Sequence, residues 1–112
     1  MNVFEYMGWE KIFEISGKKY VMPDIDHPLD GNDIVLAINA MQKKKPDMNR
    51  ELNDETDYRS DFQKFMDYTF KIFVNQTGGG TNDDRNLWLF GDPAKFFELM
   101  EEAIREGVIG KL

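Results

Sequence analysis

Apolar and polar positions follow two different rhythms along this chain. Residues 11–22 are rich in β-branched and aromatic side chains, and a Ser-Gly-Lys-Lys sequence at 16–19 interrupts them, so they predict a β-hairpin with a tight turn. Residues 3–7 have a similar composition and precede a glycine, so we expect a further strand or a frayed segment there. The first part of the chain is therefore predicted to form β structure.

Further along the chain, apolar side chains recur at helical spacing. Apolar residues at i, i+3, i+4 and i+7 predict a helix over 33–45, which either Asp30 or Asn32 caps and a proline ends. Aromatic side chains predict a second helix over 57–74, because they share one face at that spacing. Residues 68–74 also alternate as a strand would, but the continuous pattern favours helix.

The last part of the chain predicts a strand followed by a helix. Residues 86–90 read Asn-Leu-Trp-Leu-Phe, and large side chains on both faces predict a central strand that is buried on both sides. Asp92 is the expected N-cap of a helix over 93–106, which has proline in its first turn and ends before a glycine. Residues 76–86, which include three consecutive glycines, are expected to be a flexible connection.

These elements together predict an α+β fold. We expect a small single-layer sheet, made of the N-terminal hairpin and the central strand 86–90, packed against about three helices (33–45, 57–74 and 93–106). The chain has 112 residues, the usual size of one domain, and its nine Phe, four Tyr and two Trp can fill one modest core. Residues 1–112 are therefore expected to form a single compact acidic domain.

The net charge limits the classes of function. The chain carries 21 Asp and Glu against 14 Lys and Arg, a formal charge of −7, which argues against direct binding of nucleic-acid phosphates. It contains no cysteine, so disulfides and Cys-ligated metals are excluded. No apolar run is long enough for a membrane span and no signal segment opens the chain, so we expect a cytoplasmic protein with no membrane partner.

His27 is the only histidine and the first candidate for catalysis. It could act as a general base, with Asp24 or Asp26 as its orienting carboxylate and Ser16 or Ser60 as the nucleophile. No Gly-x-Ser-x-Gly sequence accompanies those serines, and a single histidine in a loop is far more often solvated or part of a cap. A small hydrolase is therefore a remote alternative, and no catalytic residue is predicted.

The aspartates around His27 also invite comparison with calcium sites. When Gly31 is placed at the glycine position of an EF-hand loop, Pro28 falls at the third position and Ala37 at the twelfth, where calcium ligands are required. Turn and helix-capping roles explain these carboxylates without an ion. The glycine run at 78–80 lacks the Lys-Ser/Thr ending of a phosphate loop. We therefore predict neither a metal nor a cofactor, and a metal-binding protein that uses His27 and nearby aspartates is kept only as an alternative, together with the small hydrolase.

Binding is the class of function that remains, and acidic loops are its candidate surface. The predicted partner-binding residues are Asp47, Glu51, Asp54, Glu55, Asp57, Asp61, Asp24 and Asp26. Such a surface can dock on a basic site of a protein partner, including a nucleic-acid-binding protein, because opposite charges steer association. We expect a stoichiometric inhibitor, an immunity protein or a phage or plasmid accessory protein, and not an enzyme. The alternative is a phage-type assembly protein that self-associates through its hairpin or apolar helices.

Overall fold

The computed structural model describes residues 1–46 and 57–110, and within these ranges it contains five helices and one antiparallel hairpin. The elements are α1 (Val3–Met7), β1 (Glu10–Ile15), β2 (Lys18–Pro23), α2 (Gly31–Lys43), α3 (Asp61–Thr77), α4 (Asn82–Phe90) and α5 (Pro93–Arg105). This mixture of helix and strand agrees with the predicted α+β class. The prediction of about three helices was wrong, because α1 and α4 replace two of the predicted strands.

The hairpin formed by β1 and β2 confirms the element predicted over 11–22. Its strands pair antiparallel from Glu10 opposite Pro23 to Ile15 opposite Lys18. Ser16 and Gly17 form the two-residue turn, and both have positive φ angles, 53° and 80°. Positive φ at both central residues defines a type I′ turn, whose twist matches that of the strands it joins. The turn therefore fixes the strand register and, with it, the side chains that share each face.

Helix α1 replaces the strand or frayed segment expected over 3–7. The Asn2 side chain caps it by accepting a hydrogen bond from the Glu5 backbone N–H, and Gly8 closes it in a left-handed conformation with φ of 72°. Val3 and Tyr6 lie three positions apart, so one helical face carries both into the core. The β-rich composition was misleading because burial of that face outweighs the weak intrinsic preference of five residues.

Helices α2 and α5 confirm two of the predicted helices, with ends within two residues of those expected. The Asp30 carboxylate caps α2 and forms a reciprocal capping box with Asp33, which settles the choice between Asp30 and Asn32. The Asp92 carboxylate accepts a hydrogen bond from the Lys95 backbone N–H at the start of α5, where Pro93 occupies the first turn. Both helices therefore begin where the sequence places a cap.

Helix α3 confirms the helix predicted over 57–74 but is shifted along the chain. It begins at Asp61 because Ser60 forms a capping box with Gln63, and it continues to Gly78, whose φ of 83° closes it. Residues 68–74 are helical throughout. The alternation in that segment therefore had no structural consequence.

Helix α4 contradicts the prediction of a central strand over 86–90. The Thr81 hydroxyl forms a capping box with Asp84, and the nine residues that follow Thr81 are helical. Leu89 is fully buried whereas Leu87 is 76 % exposed, which is a helical pattern of burial rather than burial on two sheet faces. Among the described residues, the sheet therefore consists of the hairpin alone.

The apolar core lies between the helices and is centred on α5. Phe96 is fully buried, and its ring makes edge contacts with Phe65 of α3 at 5.3 Å and with Phe97 at 5.1 Å between ring centroids. The core also receives side chains from α1, α2 and α4.

None of the helices in the described ranges has both the length and the apolar character that a bilayer span requires.

Candidate interaction surfaces

The acidic residues predicted to bind a partner have different surroundings in the structure. Asp47, Glu51, Asp54 and Glu55 lie outside the described residues. Asp61 is only 1 % exposed: its Oδ2 accepts hydrogen bonds from the Tyr6 hydroxyl at 2.7 Å and the Gly110 backbone N–H at 3.1 Å. Its Oδ1 is buried without a hydrogen-bond partner. The assignment of Asp61 to a contact surface was wrong, because this carboxylate joins α1, α3 and the turn after α5 inside the protein.

Asp57 is exposed but its charge is compensated. The Arg59 guanidinium lies 2.8 Å from Asp57 Oδ2 and 2.6 Å from Asp67 Oδ2, so one cation serves two carboxylates. Hydrogen bonds from the Arg59 side chain and backbone hold the pKa of Asp57 well below its usual range. Asp57 therefore offers a partner less free negative charge than its sequence context suggests.

Asp24 and Asp26 lie between the hairpin and α2, and both are exposed. Asp24 Oδ1 lies 3.2 Å from the Lys11 ammonium, and its backbone N–H donates to the Trp9 carbonyl at 2.6 Å. Asp26 is the more exposed of the two, with its Oδ1 3.4 Å from His27 Nδ1. These two carboxylates remain available at the surface, although Asp24 already has a cationic neighbour.

His27 lies between two carboxylates and not beside a serine. Its Nε2 lies 3.1 Å from Asp33 Oδ2, and this hydrogen bond, together with that to Asp26, raises the pKa of His27 above its ordinary value. The candidate nucleophile Ser60 caps α3 with its hydroxyl, and Ser16 lies in the hairpin turn. The arrangement proposed for a hydrolase is therefore not assembled in this structure.

The same loop brings three metal-ligand types together. Donor atoms of His27, Asp30 and Asp33 all lie within 4.8 Å of one another. Both carboxylates are already in use: Asp30 Oδ1 accepts from the Asn32 and Asp33 backbone N–H groups, and Asp33 Oδ2 accepts from that of Asp30. The capping box of α2 therefore accounts for the cluster, as the sequence suggested.

The hairpin is the surface that sequence analysis did not single out as a primary site. Its strands expose six large apolar side chains, with exposed fractions from 37 % to 69 %: Ile12, Phe13, Ile15, Tyr20, Val21 and Met22. Scattered exposed apolar residues are ordinary on a protein surface, whereas apolar residues that share one face of a hairpin form a contiguous patch, and such patches mark interaction sites. The signal in the sequence was that apolar residues occur at both odd and even positions of the predicted hairpin strands, so that both faces carry them.

The two faces of the hairpin differ in charge. Side chains alternate along a strand, and paired residues share a face, so Phe13, Ile15, Tyr20, Met22, Lys11 and Lys18 lie together. We call this the Phe13 face. The opposite face carries Ile12 and Val21 with Glu10, Glu14, Lys19 and Pro23. The Phe13 face therefore combines four apolar side chains with two lysines and no acidic residue.

The hairpin is anchored to the helices at its base. The Trp9 ring, half-buried just before β1, packs against the core and lies 6.4 Å from the Phe97 ring between centroids. The backbone hydrogen bond from Asp24 to the Trp9 carbonyl closes the open end of the hairpin. Because these contacts hold the base, the remaining length of both strands extends into solvent.

Two surface grooves on the helices also contain exposed apolar side chains. The α4 groove is a shallow, open depression with a volume of about 440 Å³, lined by Asp83, Asn86, Leu87, Phe90 and Gly91. The α2 groove has a volume of about 490 Å³, and its lining includes Met7, Trp9, Leu36, Ala40, Lys43 and Lys44. The charged lining residue of the α4 groove is an aspartate, whereas those of the α2 groove are lysines.

Compared with known proteins, the chain matches no protein-family model, no curated protein and no solved structure.

Proposed function

We propose that this protein is a protein–protein interaction module that acts by direct contact, and that the Phe13 face of the hairpin is its principal contact surface. One observation carries the proposal: the hairpin exposes six large apolar side chains, whereas the helices bury most of theirs. Water contact with such side chains costs free energy that docking recovers, at roughly 25 cal/mol for each Å² of apolar surface buried. A surface of this composition favours binding over catalysis.

The partner that this face fits best is a second copy of the chain. The hairpin carries three lysines and two glutamates, while the chain as a whole has a formal charge of −7. Local contact between acidic side chains of another copy and the lysines of the Phe13 face is therefore attractive, while the net charge of −7 on both copies opposes their approach at long range. This proposal corresponds to the assembly alternative: a protein that works by self-association.

The test is sedimentation equilibrium over micromolar to millimolar concentrations. The 13.1 kDa chain is expected to show a mass that rises with concentration. The variant Ile15→Glu/Met22→Glu should self-associate at least roughly tenfold more weakly, because it removes two apolar side chains and balances the positive charge of the Phe13 face with two carboxylates. Each new carboxylate lies opposite a lysine, Lys18 or Lys11, so the hairpin itself is preserved.

The control is Ile12→Thr/Val21→Thr on the opposite face of the same hairpin. These two residues pair with each other, and threonine keeps the β-branched shape that strands favour. The control should self-associate as the unmodified chain does. The proposal would be contradicted if the unmodified chain stays monomeric at millimolar concentration. It would also be contradicted if both variants lose association equally.

A second candidate function is a stoichiometric inhibitor, immunity protein or accessory protein that docks on a basic site of another protein. It is supported by the formal charge of −7 and by the exposed carboxylates of Asp24 and Asp26. Its test is the association rate with a lysine-rich probe peptide as salt is increased. Asp24→Lys/Asp26→Lys should slow association and flatten its salt dependence. An unchanged rate and salt dependence would count against this loop as the docking surface.

A further inference from the structure

We infer that the acceptor of the hairpin is the α4 groove of another copy, so that copies of this chain join head to tail. This inference rests on the proposed function, because it assumes that the Phe13 face docks on a second copy. It adds the identity of the receiving surface. It also determines the symmetry of the assembly, which the proposed function leaves open.

Charge distinguishes the α4 groove from the other apolar groove. The Phe13 face presents Lys18 and Lys11 and no acidic residue from either strand; because Lys11 Nζ also lies 3.2 Å from Asp24 Oδ1, Lys18 is the principal positive charge of this face. Asp83 is the charged residue that lines the α4 groove, and it is exposed. Lys43 and Lys44 line the α2 groove, where a docked hairpin would place like charges together. Like-charge contacts disfavour the wrong partner, so the α4 groove is the better receptor.

The α4 groove also exposes apolar surface to solvent. Leu87 is 76 % exposed, the largest exposed fraction among the large apolar side chains of the described residues. Phe90, beside it in the groove, is half-buried against Phe96, with 5.9 Å between ring centroids. A docked hairpin would cover both with its own aliphatic and aromatic side chains. An apolar centre bordered by charged groups is the usual composition of a protein interface.

Gly91 lines one end of the α4 groove and lies in the turn between α4 and α5. A Cβ atom at this position would lie 2.6 Å from the Leu87 carbonyl oxygen, which is too close for any side chain without a shift of the backbone. The Gly91 N–H also donates to that oxygen at 3.0 Å. The tight turn between α4 and α5 therefore requires glycine, and this end of the groove is lined by backbone.

Head-to-tail contact has a consequence for assembly. The donor surface and the acceptor surface differ, so each copy has one of each, and the contact is heterologous. Repetition of such a contact produces a closed ring or an open chain. A hairpin that paired with a second hairpin would instead produce a symmetric dimer and nothing larger.

The experiment mixes two variants that each lack one surface. Ile15→Glu/Met22→Glu removes the donor, and Leu87→Ser removes the apolar centre of the acceptor without adding charge. Each variant alone should self-associate at least roughly tenfold more weakly than the unmodified chain, as truncation of a central interface residue does. Mixed in equal amounts, they should form a heterodimer and no larger species, since one donor and one acceptor remain intact between them. Native mass spectrometry resolves the heterodimer because the two variants differ in mass.

The matched control is Leu36→Ser, the same substitution at an exposed leucine of the α2 groove. It should associate as the unmodified chain does. If Leu87→Ser still self-associates fully, or if the mixture gives no heterodimer, the α4 groove is not the acceptor, although hairpin docking would stand. If the unmodified chain is itself monomeric at millimolar concentration, the proposed function fails and this inference fails with it.

Discussion

The helices and the hairpin of this protein use the same kinds of side chain in opposite ways. In the helices, Phe96 is fully buried and Ile34 is 4 % exposed; in the hairpin, Phe13 is 37 % exposed and Ile12 is 69 % exposed. An isolated two-stranded hairpin is at best marginally stable in water. This one depends on its turn, its backbone pairing and its anchor at Trp9. Apolar side chains therefore stabilise the fold in the helices but remain exposed to solvent in the hairpin.

The largest expected effect on stability comes from truncating a phenylalanine to alanine, and the size of the effect should differ between the helices and the hairpin. Phe96→Ala should lower the free energy of unfolding by about 3–5 kcal/mol, because it removes a fully buried ring and leaves a cavity. Phe13→Ala should cost only about 0.2–1 kcal/mol, the value of its cross-strand contact with Tyr20. Urea unfolding of both variants measures the difference. Equal losses would show that the hairpin belongs to the folding core.

A buried hydrogen bond joins the first helix to this core, and it should respond to pH. Burial, and then the hydrogen bond to Asp61, raise the pKa of Tyr6, so the folded state favours the neutral phenol. The stabilisation is complete below about pH 10, the ordinary pKa of tyrosine, and is lost as the pH rises further. Tyr6→Phe should cost about 1.5–3 kcal/mol near neutral pH and reduce this alkaline loss.

The same alkaline titration contains its own controls. Some alkaline loss should remain in Tyr6→Phe, because burial raises the pKa of Tyr68 to about 12 as well. Tyr58, which is 48 % exposed, offers the matched control Tyr58→Phe, with stability close to that of the unmodified chain. A Tyr6→Phe variant as stable as this control would show that the bond to Asp61 contributes nothing.

The assignment of α4 as a helix can be tested at its N-cap residue, Thr81. Thr81→Ala should lower the free energy of unfolding by about 1 kcal/mol, because it removes the hydroxyl that caps the helix. Thr81→Ser keeps the hydroxyl and should restore most of that loss. Urea unfolding measures both variants. If residues 86–90 formed a strand, neither substitution would have this effect.

The smallest effect is expected in the loop that joins the hairpin to the helices. His27 is the only histidine, so its NMR titration is unambiguous, and its pKa should lie above the usual value of about 6.5. Asp33→Asn should lower it more than Asp26→Asn does, because the hydrogen bond to Asp33 is the larger cause. The protonated ring stabilises the fold below that ordinary pKa, and this contribution is lost as the pH rises through the folded value. An unchanged pKa in Asp33→Asn would refute the contact.

Elements with both a periodic pattern and a cap could be predicted from the sequence. The α2 and α5 helices were found because apolar residues at helical spacing follow the caps Asp30 and Asp92. The hairpin was found because Ser16 and Gly17 interrupt a β-rich run. In each case local propensity and burial agree, so the sequence pattern is sufficient.

The errors arose where a short apolar run fits two periodicities. Residues 86–90 fit a buried strand as well as a helix, and length alone does not separate them. The capping pattern from Thr81 to Asp84 was the signal that favoured helix. The burial of Asp61 has no such signal, because its partners Tyr6 and Gly110 are distant in sequence. Tertiary contacts of this kind cannot be read from local composition.

The most direct test of the central claim is a dilution series followed by amide NMR of the unmodified chain. If the hairpin docks in the α4 groove of another copy, signals from residues 10–23 and 82–91 should shift with concentration from micromolar to millimolar. Signals from the α2 groove, including Leu36, should stay in place. Spectra that do not change across this range, or changes confined to the α2 groove, would contradict the account.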